Sequence, residues 1–369
     1  MVKQKSFLPS LEDLSFRRIG AVYVWLVIIV VFCILSPDIF MTKGTVTAIA
    51  NNYAISGIAA IAILLPLVTG IFDVSIGGNI SLSSVICASL LIHLHWPIAI
   101  VLLCTLGVGA TIGLVNSFVV VVLRIPSLIG TLAVAGIADS LSIAFSGNQS
   151  ISSPALIGAF GNAFSQLQLG GFSISVLYLL VLVIIVDVVL RQTATGRYSY
   201  AVGFDPEVSR LAGVRVRGLQ VWTLVLSGVL GAFAGVILTA HVASASPNSG
   251  DTYLLPAFAA VFVGATQFKA KRFNALGTLI AVYMLGTGQY GLVIAGAPTW
   301  TPNLFQGVAL IAAIGLTHLG SSRQADNESF FRLKKITKFR LSISSGKKSD
   351  QISTVSEVHN RDGSSIAHD

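Results

Sequence analysis

Charge is scarce in this chain. Of its 369 residues only 10% are Asp, Glu, Lys or Arg, against 54% hydrophobic; a soluble globular protein carries roughly 25% charged residues. Cysteine is nearly missing. Cys33, Cys87 and Cys104 all fall in apolar runs and no CxxC occurs, which excludes a cysteine-built metal or redox centre. There is no GxxxxGK[ST]; the nearest fragment, SGKKS at 345–349, has Leu341 where the first glycine belongs. The chain therefore has no nucleotide-binding loop of its own. The two histidines of HLHW (93–96) stand two residues apart, on different sides of a helix, and read as an interfacial cluster, not a metal site. No Ser/His/Asp or paired-carboxylate constellation stands out. The composition excludes most enzyme classes.

What the chain has is long apolar runs. Ten segments, about 20–36, 54–71, 79–94, 97–123, 126–145, 173–190, 219–241, 255–268, 275–295 and 304–319, approach or reach the length that crosses a bilayer as a helix. Those near 79–94 and 255–268 are short enough to be tilted, broken or partly inserted. The run from Ala21 to Leu35 has no small-residue cleavage site after it and reads as an uncleaved anchor. The expected fold is all-α and polytopic, with about ten transmembrane helices.

The few charges are not scattered. With the N-terminus placed in the cytoplasm, 22 of the 23 Lys and Arg fall on the cytoplasmic side, and Lys43 is the exception. The net charge of +8 thus reads as the positive-inside rule, not as nucleic-acid binding. Both termini are expected inside. Three parts follow: a cytoplasmic segment 1–19, a membrane domain 20–319 with a polar loop at 191–218, and a basic cytoplasmic tail 320–369. In the tail, FFRLKKITKFR (330–340) has cations and aromatics spaced to lie on an anionic leaflet; beyond it the low apolar content predicts disorder.

The polar loop holds the strongest local signal. Asp205-Pro206-Glu207 is a helix start: Asp caps free N–H groups, Pro suits the first helical position, and Glu meets the positive end of the dipole. Gly213 suits a left-handed C-terminal cap. The expected helix is Pro206 to Ala212, with Val208, Leu211 and Ala212 as a small apolar face. Two turns are not stable alone in water, so the helix docks either on its own membrane domain or on a separate protein such as a soluble ATPase.

Acids in or beside the spans are Asp73, Asp139 and Asp187. Each is a functional candidate because charge is costly in hydrocarbon, although Arg191, four residues after Asp187, is a ready partner for it. The chain is poor in the buried carboxylate chains that ion-coupled carriers use, so its driving energy is expected from elsewhere.

TATGRYSYAVGFDPEVSRLAGVRV (193–216) resembles the cytoplasmic loop of the ribose/xylose-type permeases of ABC importers, through Thr193, Gly196, Arg197, Tyr200, Ala201, Gly203, Asp205, Ser209, Gly213 and Val214. TGIFDVSIGGNISLSS (69–84) is similar through Asp73, Ser75 and Gly77, and GLVNSFVVVVLRIPSLIGTL (113–132) through Asn116, Pro126 and Thr131. SGVLGAFAGVIL (227–238) and FAAVFVGAT (258–266) match the family's small-residue helices. The resemblance covers about 65–320 in family order.

It implies a ten-helix, vitamin B12-importer-like permease subunit in a bacterial inner membrane, not itself an enzyme. The cargo would be a small neutral polar solute, most often a monosaccharide. The implied partners are a cytoplasmic ATP-binding subunit, a periplasmic or lipid-anchored solute-binding protein, and a second permease, identical or homologous. The chain itself would hold no cofactor or metal, ATP and magnesium being bound by the ATPase. Gly196, Arg197, Gly203, Asp205, Pro206, Glu207, Arg210, Leu211 and Gly213 would form the coupling site, and Asp73, Ser75, Asn79 and Asn116 are the candidates for the substrate path. The glycines of two spans, Gly107, Gly109 and Gly113 in one and Gly228, Gly231 and Gly235 in the other, would let helices pack closely.

Three departures from the family pattern stand out: YLLPAFAA at 253–260, whose Pro256 should perturb a helix start, AKRFN at 270–274, and Asp139-Ser140 where an arginine-glycine pair is common. The competing reading is a stand-alone secondary carrier.

Overall fold

The computed structural model describes residues 16–267 and 272–314. In chain order the helices are α1 (Phe16–Leu35), α2 (Pro37–Phe40), α3 (Lys43–Asn52), α4 (Ala54–Val68), α5 (Ile76–Ile92), α6 (Ile98–Ser117) and α7 (Ser127–Ser146). They continue as α8 (Ala159–Gly161), α9 (Ile174–Gln192), α10 (Ala194–Phe204), α11 (Pro206–Leu211), α12 (Val216–Val242), α13 (Asp251–Ala265) and α14 (Ala275–Ile294), and end in α15 (Thr301–Ile314). Most of the expected N-terminal segment, all of the tail, and Lys269 and Lys271 lie outside the described residues.

Every apolar run read from the sequence overlaps one of these helices. Among the described residues, six stretches are long and apolar enough to cross a membrane: Lys43–Val68, Ile98–Val122, Ser127–Ser146, Ile174–Gln192, Val216–Val242 and Ala275–Ile294. Four shorter apolar helices join them: Ala21–Leu35, Ile76–Ile92, Asp251–Ala265 and Thr301–Ile314. The second span begins well before the expected residue 54. Thr42 caps α3 by accepting from the Thr45 amide at 3.2 Å, and α3 runs on into α4 across Tyr53. α13 runs unbroken through Pro256 from Asp251; the proline falls in the second turn of a helix that starts earlier than expected.

α4 and α12 are the centre. All fifteen residues of α4 are buried, and a helix apolar on every side belongs inside a bundle. α12 packs on α4, α5 and α6. Glycine sets how close α6 and α12 come. A Cβ at Gly109 would collide with the Gly228 carbonyl, one at Gly228 with the Gly109 carbonyl, and one at Gly113 would sit 2.6 Å from the Leu224 carbonyl. Gly107, by contrast, faces open space. α6, α7 and α9 expose Leu103, Leu132 and Ile184, an apolar rim suited to lipid. The stretch between α7 and α9 folds as short turns that bury Leu156, Phe160 and Phe164. Its strand β1 (Ile151–Ser152) pairs antiparallel with β4 (Ser244–Ala245) after α12, and β2 (Gln168–Leu169) pairs with β3 (Phe172–Ser173).

Candidate functional site

α10 and α11 occupy the polar loop. Thr193 caps α10 by accepting from the Gly196 amide at 3.2 Å. Gly196 is buried where a Cβ would collide with the Leu190 and Val189 carbonyls, so α10 folds back on the end of α9. Gly203 sits at the other end of α10 against the last turn of α4, where a Cβ would collide with the Val68 carbonyl. The Tyr200 hydroxyl donates to the Phe273 carbonyl, and the Arg272 guanidinium lies 5.2 Å from the Tyr200 ring centre. Burial raises the Tyr200 hydroxyl's pKa against the opposing pull of Arg272, so it acts here as a neutral donor. Arg197 is exposed, as is Tyr198.

α11 starts where predicted and ends one residue early, at Leu211. The Asp205 carboxylate accepts from the amides of Glu207 at 2.9 Å and Val208 at 3.0 Å, and Pro206 takes the first helical position. At the far end Gly213 has φ +85. Its amide donates to Arg210 and the Val214 amide to Ser209, both at 3.0 Å, the paired bonds of a Schellman cap. Glu207 and Arg210 form an exposed ion pair, Nε to Oε2 at 3.1 Å. The hydrogen bond from Arg210, then its charge, holds the Glu207 carboxyl below its usual pKa.

Only Ser209 of this helix is buried. Val208 is 61% exposed, Leu211 76% and Phe204, just before the cap, 94%. Among the described residues these large apolar side chains are left mostly uncovered, so the expected apolar face faces outward. A concavity of about 790 Å³ adjoins it, lined among others by Leu190, Arg191, Arg197, Tyr200, Val208 and Arg272. Sequence reasoning missed Phe204 and the whole of α10; the cap at Thr193 was the available signal.

The substrate-path candidates lie elsewhere: Asp73 and Ser75 in the turn between α4 and α5, Asn79 on α5 and Asn116 on α6. Asp73 accepts four hydrogen bonds: from the Ser75 amide at 3.1 Å and hydroxyl at 2.6 Å, from Asn116 on α6 at 3.3 Å and from Ser227 on α12 at 2.7 Å. Asn116 also donates to the Ser75 hydroxyl at 2.6 Å. Asn79 donates to the Gly228 carbonyl at 2.7 Å and accepts from Ser83 at 3.1 Å. All four candidates are at most 1% exposed. The structure thus joins Asp73, Ser75 and Asn116 in one sealed network, with Asn79 one turn along α5. Ser227, which completes it, was not singled out as a site residue. Asp187 pairs with Arg191 at 2.9 Å. Asp139 stands beside Gly78 of α5, and its Oδ1 has no hydrogen-bond partner.

Fold and site together define a multi-pass helical membrane protein that presents a capped helix with an exposed apolar face. Residues 45–314 match the family described as branched-chain amino acid transport system / permease component, and the chain belongs to that family. Among curated relatives, the fructose import permease protein of Rhizobium meliloti is 32% identical over 295 residues, 78% of this chain and 81% of that one. The galactose/methyl galactoside import permease protein of Escherichia coli K12 is 29% identical over 345 residues, 88% and 99% of the two chains. The ribose import permease protein of Bacillus subtilis is 27% identical over 298 residues, 81% and 92%. No solved structure matches the chain.

Proposed function

We propose that this chain is the membrane-spanning permease subunit of an ATP-driven importer that carries a monosaccharide across a bacterial inner membrane. It works as one of a pair, with a separate ATPase on the cytoplasmic face and a solute-binding protein outside. The observation that carries the reading is α11: a capped helix whose Val208 and Leu211, with Phe204, stand exposed among the described residues. An apolar face of this kind marks an interaction site, and the ATPase is the occupant that a permease family supplies. Membership of that family and relatives named for fructose, galactose and ribose import support the cargo class.

Ten spans with both ends inside is part of the same reading, supported by four shorter apolar helices beside the six long ones and by the one-sided distribution of Lys and Arg. Sealed as they are, Asp73, Ser75, Asn79 and Asn116 bear on the substrate path through helix position: they fix how α5, α6 and α12 meet. The exposed loop helix α11 then couples ATPase closure to that bundle.

The test is reconstitution with the cognate ATPase and binding protein in proteoliposomes. ATP-dependent uptake of ribose, galactose or fructose is expected. Uptake by this chain alone, driven by an ion gradient, would overturn the proposal in favour of a secondary carrier.

A further inference from the structure

α11 is joined through the backbone to only two spans, α9 by way of α10 and α12 directly. Nothing covalent ties it to α5, α6 or α7. A second route exists, and it runs through Gly203. At the end of α10 the Gly203 backbone lies on the backbone of the last turn of α4: a Cβ there would collide with the Val68 carbonyl oxygen and stand 3.4 Å from the Gly70 nitrogen. From the other side, a Cβ at Gly70 would be 3.6 Å from the Gly203 Cα. Gly70 itself has φ +83, a conformation that glycine adopts without strain. Peptide meets peptide with no flexible side chain between, and close-packed contacts of this kind pass on displacement instead of absorbing it.

What Gly203 touches is the start of a link, residues 69–75, which is bonded to α5, α6 and α7. The Phe72 amide donates to Ser127 at 3.2 Å and the Val74 amide to Thr131 at 3.0 Å, both on α7. Asp73 holds Asn116 of α6 and Ser227 of α12. Ser75 leads straight into α5. Thr69 and Thr223 of α12 stand 3.4 Å apart, hydroxyl to hydroxyl.

We propose that the Gly203–Gly70 contact is a transmission joint, through which movement of the docked helix enters α5, α6 and α7, with Asp73 as the node that distributes it. Gly203 and Thr131 are then positioning residues for coupling. The proposal rests on the reading of α11 as the ATPase-docking helix.

The experiment uses the complete complex with its cognate ATPase, and compares hydrogen–deuterium exchange with and without ATP and vanadate. In the parent, nucleotide is expected to change exchange in three places: the 193–217 loop, the 69–75 link and the first turn of α7. In Gly203→Ala the ATPase still co-purifies and the 193–217 response persists, but the responses of 69–75 and α7 are lost. Thr131→Val, a near-isosteric change that deletes both hydrogen bonds of the Thr131 hydroxyl to the link, from the Val74 amide and to the Phe72 carbonyl, keeps the 69–75 response and loses that of α7; it serves as the test if Gly203→Ala does not fold.

A 69–75 response in Gly203→Ala equal to the parent's would overturn the joint, as would its absence in the parent. Failure of Gly203→Ala to hold the ATPase would assign Gly203 to docking and equally overturn it. If α11 is not the docking helix, the failure looks different: Leu211→Asp leaves co-purification untouched.

Discussion

Asp205 offers a sharp test because its contribution is separable from its charge. The side chain satisfies two of the N–H groups that α11 leaves unpaired at its start, at 2.9 and 3.0 Å. Asp205→Ala removes both bonds, and loss of such a cap costs about 1 kcal/mol. In a six-residue helix little else offsets that loss, since only Ser209 is buried and the Glu207–Arg210 pair is fully exposed. If the ATPase binds only the formed helix, its dissociation constant rises by the factor by which that form is depleted, up to about fivefold for 1 kcal/mol. Asp205→Asn keeps an acceptor oxygen and ranks level with Asp as a cap, so it should bind like the parent. The assay is titration of the ATPase onto the permease in nanodiscs by interferometry. Two results would refute the reasoning: Asp205→Ala binding as tightly as the parent, or Asp205→Asn binding as weakly as Asp205→Ala. The second would mean that the charge, and not the cap, carries the effect.

Other substitutions follow from the packing. Gly228→Ala forces α12 off the Gly109 carbonyl and should destabilise the fold by about 1–3 kcal/mol. Gly107→Ala meets open space and should change stability by less than about 0.5 kcal/mol; thermal melts in detergent would separate the two. Asn116→Ala removes donors to both Asp73 and Ser75 and leaves buried acceptors short, at about 1–3 kcal/mol; a melting temperature equal to the parent's would show that the network is not structural. For Glu207 the pKa is depressed in the folded chain, so the pair's contribution is present above the ordinary carboxylate range and is lost as pH falls through the lowered value. ATPase affinity should therefore be flat above about pH 5 and weaken in more acidic buffer, and Glu207→Gln should abolish that acid-side change.

The spans and α11 were legible because their signals are local. Apolar length alone locates a membrane helix, and Asp205-Pro206-Glu207 with Gly213 encloses its helix within nine residues. α10 was not legible: ATGRYSYAVGF is rich in glycine and tyrosine, and what holds it is contact with the ends of α9 and α4. The early start of the second span was hidden in KGTVTAIANN, whose polarity masks a helix that continues an apolar one. In the buried network the individual residues Asp73, Ser75 and Asn116 could be picked out as polar residues in greasy surroundings. Their closure by Ser227, 154 positions away from Asp73, has no trace in local pattern. The outward face of α11 was legible as apolar, but its exposure among the described residues could be seen only once the other helices were in place.

The central place of α12 also has a meaning for how the chain could be made. Its main neighbours, α4, α5 and α6, all precede the α7–α9 segment, and β1 of that segment is stitched to β4 beyond α12. The two ends of the membrane domain are thus interleaved, held more by contact than by continuity. A gene divided at the exposed Gly147–Asn148 turn should yield two polypeptides that find each other in the bilayer and co-purify as one body. On this view the permease is a two-piece assembly that happens to be written as a single reading frame.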